Sequence, residues 1–451
     1  MLRFPPDFRF GVADADLQVV GEDDPRAEED SLPTMWDAFA RGRGLTPPGA
    51  GVGRYHRFAD DIALMRSLGV THYRTSVSMS RLLTASGDVN AKAVAWYRRY
   101  FGLLREGGVR VYATLYHWEL PQFLAERGGW ANRETVDWFV RHAGHAVREL
   151  GDLIDEYYLV NEPWCVTMLG HYRGLHAPGE RDLRSALLAA HHVLLAVGLG
   201  LRAVHDIAPD AQVGTVFNAE AYTAASANPD DVRARDLADG HFNRWFMDPI
   251  YMGRYPDDMV EAYRDHLPNF RDDDLAAMRV GDRLHAFGLN YYSGVVVRHD
   301  PASPLGYATA DPPGRLTNDL GWPVAVPPAY PDGLLDVLTQ IWHSYRAHGL
   351  RRIDVTENGF AQAEPHDDAR RIFYLREHLR QVHAAIRRGV PVAAYFAWTL
   401  LDNYEWQEGY RPEARFGLVH VDRATLARTP KASAAWFTQV VAARGLEAPP
   451  S

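Results

Sequence analysis

Positions 353–398 read IDVTENGFAQAEPHDDARRIFYLREHLRQVHAAIRRGVPVAAYFAW, and this stretch decides the fold. A β-rich run opens it at 353–356. A helical pattern follows over 369–388, with Ile372, Leu375, Leu379, Val382 and Ile386 at the three- and four-residue spacing of one buried face, and it stops at Gly389. A second β-rich run closes the stretch at 392–398. Strand, helix and strand in about 45 residues is a βαβ unit, whose two strands lie parallel.

Working outward, the same alternation fills the chain. Further β-rich runs occur at 8–13, 71–78, 110–117, 155–161, 212–218 and 286–292. A helical face over 56–68 carries Phe58, Ile62, Met65 and Leu68 and ends at Gly69. Another over 332–348 carries Leu335, Leu338, Ile341 and Tyr345, with Asp332 as N-cap and Gly349 as stop. Eight strands alternating with helices imply an α/β chain folded as a closed parallel (β/α)8, or TIM, barrel. No Gly/Ser-rich or Pro-rich linker divides it, so residues 1–451 read as a single domain. Proline-rich patches at 301–313 and 323–331 fall between the sixth and seventh strands, where an active-site loop belongs.

Composition narrows the function classes. The 451 residues are 47% hydrophobic and carry 48 basic against 58 acidic side chains, a net charge of −10, which disfavours nucleic acid or anionic lipid as partner. The apolar stretch 186–204 contains His191, His192 and Arg202 and reads as a buried helix rather than a membrane span. One cysteine, Cys165, leaves no intrachain disulfide and reads as a buried, inert thiol. With no secretory pattern in MLRFPPDFRFG, the expected compartment is the cytoplasm. The two lysines, Lys92 and Lys431, fit no phosphate-binding loop, and G-x-S-x-G and H-E-x-x-H are absent. Gly198, Gly200 and Ala203 imitate a dinucleotide fingerprint but lie inside a helical stretch. His191 and His192, adjacent on a helix, point to different faces and read as packing and hydrogen-bonding residues. No metal or organic cofactor is implied.

In such a barrel the residues at the C-terminal strand ends carry the chemistry. Here they are His117 and Trp118, Asn161 and Glu162, Asn290 and Tyr292, Glu357, and Trp398. Two carboxylates facing each other across the mouth suit glycosidic bond cleavage, one to protonate the leaving oxygen and one opposite as base or nucleophile. In a chain with 58 acidic residues the same pair also reads as salt-bridge partners.

The flanking motifs separate these readings. FPPDFRFGVA with Gln18, YHRF with DIALMRSLG, TLYHWELPQ, NEPW at 161–164, GHYRGLHAPG, DPIYMGRYP, FGLNYY, TENG at 356–359, and WTLLDNYEWQEGY followed by RFGLVHVD occur in this order. Together they resemble glycoside hydrolase family 1, the β-glucosidase family, from end to end. The resemblance implies that Glu162 is the general acid/base and Glu357 the nucleophile of a retaining double displacement. It further implies that Asn161 meets the sugar 2-hydroxyl and that Tyr292 and Arg81 orient the nucleophile. Gln18, His117, Trp118, Asn290, Tyr292, Glu405 and Trp406 would bind the sugar, with Trp398 as its aromatic floor. Indole faces and hydrogen-bonding side chains match a sugar's C–H faces and hydroxyl rim.

The expected substrate is a small glycoside or oligosaccharide with a terminal β-D-glucosyl residue. Galactosides, fucosides and transglycosylation stay open, as do the natural aglycone and the oligomeric state. A sugar-binding protein on the same scaffold is the non-enzyme alternative, and the presence of both carboxylates argues against it. A thioglucosidase is disfavoured by Glu162. The chain departs from the family pattern at Val20, Thr75 and Met79, where Met79 implies a softer pocket wall or support. It departs also at Asp14 and Asp16 and in the acidic run 22–30, which reads as a solvated loop, with a cationic aglycone as the minor alternative.

Overall fold

The computed structural model describes residues 2–21, 31–310, 316–325 and 333–447. Its centre is a closed barrel of eight parallel strands. They are β1 (Arg9–Ala13), β2 (His72–Ser76), β3 (Arg110–Tyr116), β4 (Glu156–Asn161), β5 (Val213–Asn218), β6 (Ala286–Asn290), β7 (Ile353–Asn358) and β8 (Val392–Trp398). Each pairs with its sequence neighbour, and β8 closes on β1 with Trp398 opposite Ala13. Strands β4, β5 and β7 are buried along their whole length, because helices cover one face and the barrel interior the other.

The interior is filled in layers. At the strand starts, Arg9 pairs with Asp354 at 3.0 Å and with Glu156 at 3.3 Å, while Tyr158 donates to Asp354 at 2.8 Å. Aromatic rings come next, Tyr112 and Phe396 meeting edge to face at 5.2 Å beside Tyr158 and Val216. The polar residues at the strand ends lie above this apolar plug, which shuts the barrel bottom and leaves one mouth for chemistry.

The helices follow the expected faces. Arg54–Ser67 buries Phe58, Ile62 and Met65, and Ala369–Arg387 buries Leu375, Leu379 and Val382, with Ile372 and Ile386 half-buried at the edge of that stripe. Gly333–Tyr345 buries Leu335, Leu338, Ile341 and Tyr345, whereas the proposed cap Asp332 lies outside the described residues. The apolar helix Leu183–Ile207 is long enough to cross a membrane, but 78% of its most apolar window is buried, and it lies along the helix Glu134–Leu150. Its glycines serve packing. A Cβ on Gly198 would sit 2.0 Å from the Ala277 carbonyl oxygen, so the imitation of a dinucleotide fingerprint is a close helix contact.

The loops above the mouth contain structure the sequence did not announce. Gly294–His299 pairs antiparallel with Tyr307–Ala310 and parallel with Ala221–Ala224, a small three-stranded sheet beside the barrel rim. Ala221 stands opposite Gly294, which brings together the residues that precede them, Glu220 and Ser293. Positions 311–313 and 326–331 of the proline-rich patches, and the acidic run 22–30, lie outside the described residues.

Candidate active site

The last turns of β4 and β7 are irregular, and this irregularity aims the two carboxylates. Pairing of β4 with β5 shifts register between Tyr158 and Asn161, and pairing of β7 with β6 shifts between Val355 and Glu357. Such bulges re-aim side chains at a barrel rim. Glu162 follows at φ 51°, and Trp118 and Trp406 also take positive φ, at 67° and 47°. Left-handed conformations of bulky residues persist only where the surroundings over-determine them.

Glu162 and Glu357 are both buried and line one cavity of about 490 Å³ at the barrel mouth. Asn290 donates through Nδ2 to Glu162 Oε1 at 2.6 Å and to Asn161 Oδ1 at 3.1 Å, and it accepts from Thr356 Oγ1 at 2.7 Å. Glu357 accepts from Arg74 at 2.6 Å on Oε1 and from the Tyr292 hydroxyl at 2.8 Å on Oε2. Arg74 spreads its fork further, donating to Asn161 Oδ1 at 2.6 Å and to Thr114 Oγ1 at 3.1 Å.

These partners separate the two groups electrostatically. Burial, and then the charge of Glu357, push the Glu162 carboxyl up to about 8. Burial raises Glu357 as well, but the Arg74 guanidinium and the Tyr292 hydroxyl oppose that rise. The proton shared by the pair therefore belongs on Glu162 and the charge on Glu357. The Cys165 thiol hydrogen-bonds Glu162 and accepts from Asn218 at 3.5 Å. Burial and the Glu162 charge raise its own pKa, so it stays an S–H group.

Around the pair, Gln18 donates to the Tyr404 carbonyl at 2.6 Å and to Glu405 at 3.4 Å, leaving its buried Oε1 without a protein partner. His117 Nε2 meets Asn161 at 3.2 Å, and its buried Nδ1 has no protein partner either. Burial and the nearby Arg74 keep this imidazole neutral. Unpaired polar atoms of this kind are suited to ligand hydroxyls. The Trp398 and His117 rings stack at 5.7 Å, and Trp406 closes over His117 at 5.9 Å and Trp118 at 4.6 Å. Trp118 is tied down in turn, donating to the Asn161 carbonyl at 3.1 Å and accepting from Trp36 at 2.6 Å. Gly359 permits this closure, because a Cβ there would stand 2.1 Å from the Trp398 carbonyl oxygen.

One expectation is corrected. Arg81 does not orient Glu357. It pairs with Asp16 at 3.5 Å, lies over the Tyr55 ring and donates to the Gly21 carbonyl at 2.5 Å. Asp16 also accepts from Tyr97 at 2.8 Å, so a buried and anchored carboxylate pairs with Arg81 in the short helix Met79–Leu82. The residue missed was Arg74, fully buried on β2. Its signal was an arginine in the middle of a barrel strand, a position it can hold only by pairing inside the barrel. Asp14 likewise serves the frame, bridging Arg54 at 3.2 Å, Tyr73 and Thr75. Met79 is buried outside the cavity lining, as supporting structure.

The histidine pair performs packing. His191 bridges Asp274 and Tyr255 at 3.0 Å each, and His192 meets the Trp130 carbonyl at 2.9 Å. Among the described residues no group of three or more His, Cys, Asp or Glu side chains is arranged to hold a metal ion.

Comparison with known proteins agrees with this geometry. The model of a family described as "Glycosyl hydrolase family 1" matches residues 1–446. The chain is 35% identical to beta-glucosidase A of Acetivibrio thermocellus, the alignment covering 98% of this chain and 99% of that protein. It is 37% identical to a beta-glucosidase of Agrobacterium sp., over 97% and 95% of the two chains. Among solved structures, a family 1 β-glucosidase from Thermotoga maritima superposes with a TM-score of 0.92 at 34% identity, covering 99% of this chain and 100% of that one. A Thermotoga maritima family 1 glycoside hydrolase complexed with a cyclophellitol analogue transition state mimic superposes with a TM-score of 0.91 at 34% identity, covering 99% of each chain.

Proposed function

Since the chain belongs to glycosyl hydrolase family 1, we propose that it is a retaining β-glycosidase that releases terminal non-reducing β-D-glucosyl residues through a covalent glycosyl-enzyme. One observation carries the assignment of roles: the two buried carboxylates differ in their partners, Glu357 held by Arg74 and Tyr292, Glu162 by the neutral amide of Asn290. Glu357 attacks the anomeric carbon while Glu162 passes its proton to the departing oxygen, so the leaving alcohol departs neutral. Consumption of the Glu357 charge in the ester then removes the main electrostatic cause of the raised Glu162 pKa, and Glu162 becomes a base for the incoming water. Asn161, fixed between Arg74, Asn290 and His117, contacts the 2-hydroxyl. Gln18, His117 and Glu405 clamp the other hydroxyls over the Trp398 floor, with Trp118 and Trp406 behind them.

A neutral sugar fits this clamp better than a 6-phosphate. Glu405 is buried in the cavity, so a phosphate dianion beside it would meet like charge where the carboxyl is ionised and would be desolvated without a cationic partner there where it is protonated. We also read the protein as cytoplasmic, on the support of a lone, buried cysteine. Proton NMR of an early reaction tests the mechanism: the β-anomer should appear first, and Glu357→Ala should lose roughly 10³-fold or more in kcat. First release of the α-anomer would remove Glu357 from the nucleophile role.

A further inference from the structure

The cavity extends well beyond the sugar clamp, over residues the proposed mechanism does not use. Beyond the sugar clamp it is walled by Leu169, Phe242, Val295 and Trp322, an apolar enclosure suited to a flat or hydrophobic leaving group. Into that enclosure the rim sheet sets one carboxylate, Glu220. Its Oε2 accepts from Tyr222 at 2.6 Å and its Oε1 from Ser293 at 3.3 Å. Asn243 clamps the Glu220 backbone from both sides, accepting from its N–H at 3.3 Å and donating to its carbonyl at 3.1 Å. The side chain is thus positioned by neutral groups, and among the described residues the cation acting on it is Arg173.

The charge balance of the cavity points the same way. Its lining holds the carboxyls of Glu162, Glu220, Glu357, Glu405 and Glu408. The lining histidines His117, His176 and His241 are all kept neutral by burial. Among the described residues Arg173 is the one lining cation, exposed at the rim over the face of Trp164 at 5.3 Å. Its charge reaches Glu220 and opposes the effect of burial there, through a side chain that solvent partly screens.

We infer that Glu220 is a specificity-determining residue of the leaving-group side, and that this side selects an aglycone with an apolar body and an ammonium group. The inference rests on the glycosidase reading of the same site. An ammonium would find in Glu220 a half-buried carboxylate that accepts from two neutral hydroxyls and faces one solvated cation, Arg173, while an aglycone carboxylate would meet repulsion from Glu220. Burial raises the pKa of Glu220, and a cation arriving beside it favours the charged form, so binding and ionisation reinforce each other.

The test uses three aryl β-D-glucosides with 4-(aminomethyl)phenyl, 4-ethylphenyl and 4-(carboxymethyl)phenyl leaving groups, compared by kcat/KM at neutral pH. The wild type should favour the amine over the ethyl compound by about tenfold and should disfavour the carboxylate by a similar factor, as charge-assisted contacts allow. Glu220→Gln should bring the amine-to-ethyl ratio close to one, a ratio in which any general loss of activity cancels. Arg173→Gln, at an exposed position, should raise the same ratio. An amine-to-ethyl ratio near one in the wild type, or one that survives Glu220→Gln, overturns the inference. Failure of the wild type to hydrolyse even the ethyl compound would instead count against the glycosidase reading.

Discussion

Replacing Arg74 by Gln should raise the acidic limb of the pH profile, while replacing Arg81 by Gln should leave that limb where it is. Arg74 donates to Glu357 at 2.6 Å with no solvent exposure, a charge-assisted hydrogen bond in a desolvated setting. Such a bond contributes about 1.5–3 kcal/mol to the charged form. At about 1.4 kcal/mol per pH unit, its loss raises the Glu357 pKa by roughly one to two units. Glu357 must be ionised to attack, so the acidic limb of kcat/KM, which reports the free enzyme, moves up by the same amount. The stability change has a matching sign. With its folded-state pKa raised further above the unfolded value, Glu357 contributes stability at low pH that is lost as pH rises through the new folded pKa. The melting temperature of Arg74→Gln should therefore fall more steeply than that of wild type between pH 5 and pH 8. Arg81 pairs with Asp16 and lies over Tyr55, so Arg81→Gln should lower stability without moving the limb. Steady-state rates on a 4-nitrophenyl β-glucoside across this range, with thermal melts at each pH, provide the comparison. An acidic limb that moves in Arg81→Gln and stays fixed in Arg74→Gln would refute the assignment.

The basic limb should belong to Glu162, with activity lost as pH rises past about 8 because the acid form disappears. Glu162→Ala should flatten that limb and slow glycosylation by alkyl glucosides far more than by dinitrophenyl glucosides, whose leaving groups depart unassisted. Equal losses on both would take the acid role from Glu162. At Glu405, a 6-phosphate on the substrate should cost about a hundredfold or more in kcat/KM relative to the matched neutral glucoside. Comparable steady-state rates on that pair would count against Glu405 as part of the clamp on the sugar hydroxyls.

What could be read from the sequence was whatever depends on neighbours in the chain. Spacing along 353–398 is enough for strand, helix and strand, because backbone periodicity and side-chain direction are local properties. The strand ends follow from that alternation, and they put Glu162, Glu357, Asn161, Asn290 and Trp398 at one mouth with no further information. The motifs around NEPW and TENG added their expected roles. What the chain could not reveal was which partner each buried charge would find. Arg74 and Arg81 are seven positions apart around the same strand end. Arg74 points inward on β2 to meet Glu357 and Asn161, while Arg81 sits in the next short helix, where Asp16 holds it. Glu220 and Ser293 are 73 positions apart and meet only because a rim sheet pairs Ala221 with Gly294. Inside a protein the energy of a charge depends on geometry at the scale of a few ångströms and on its desolvation, and both exist only after the barrel has closed.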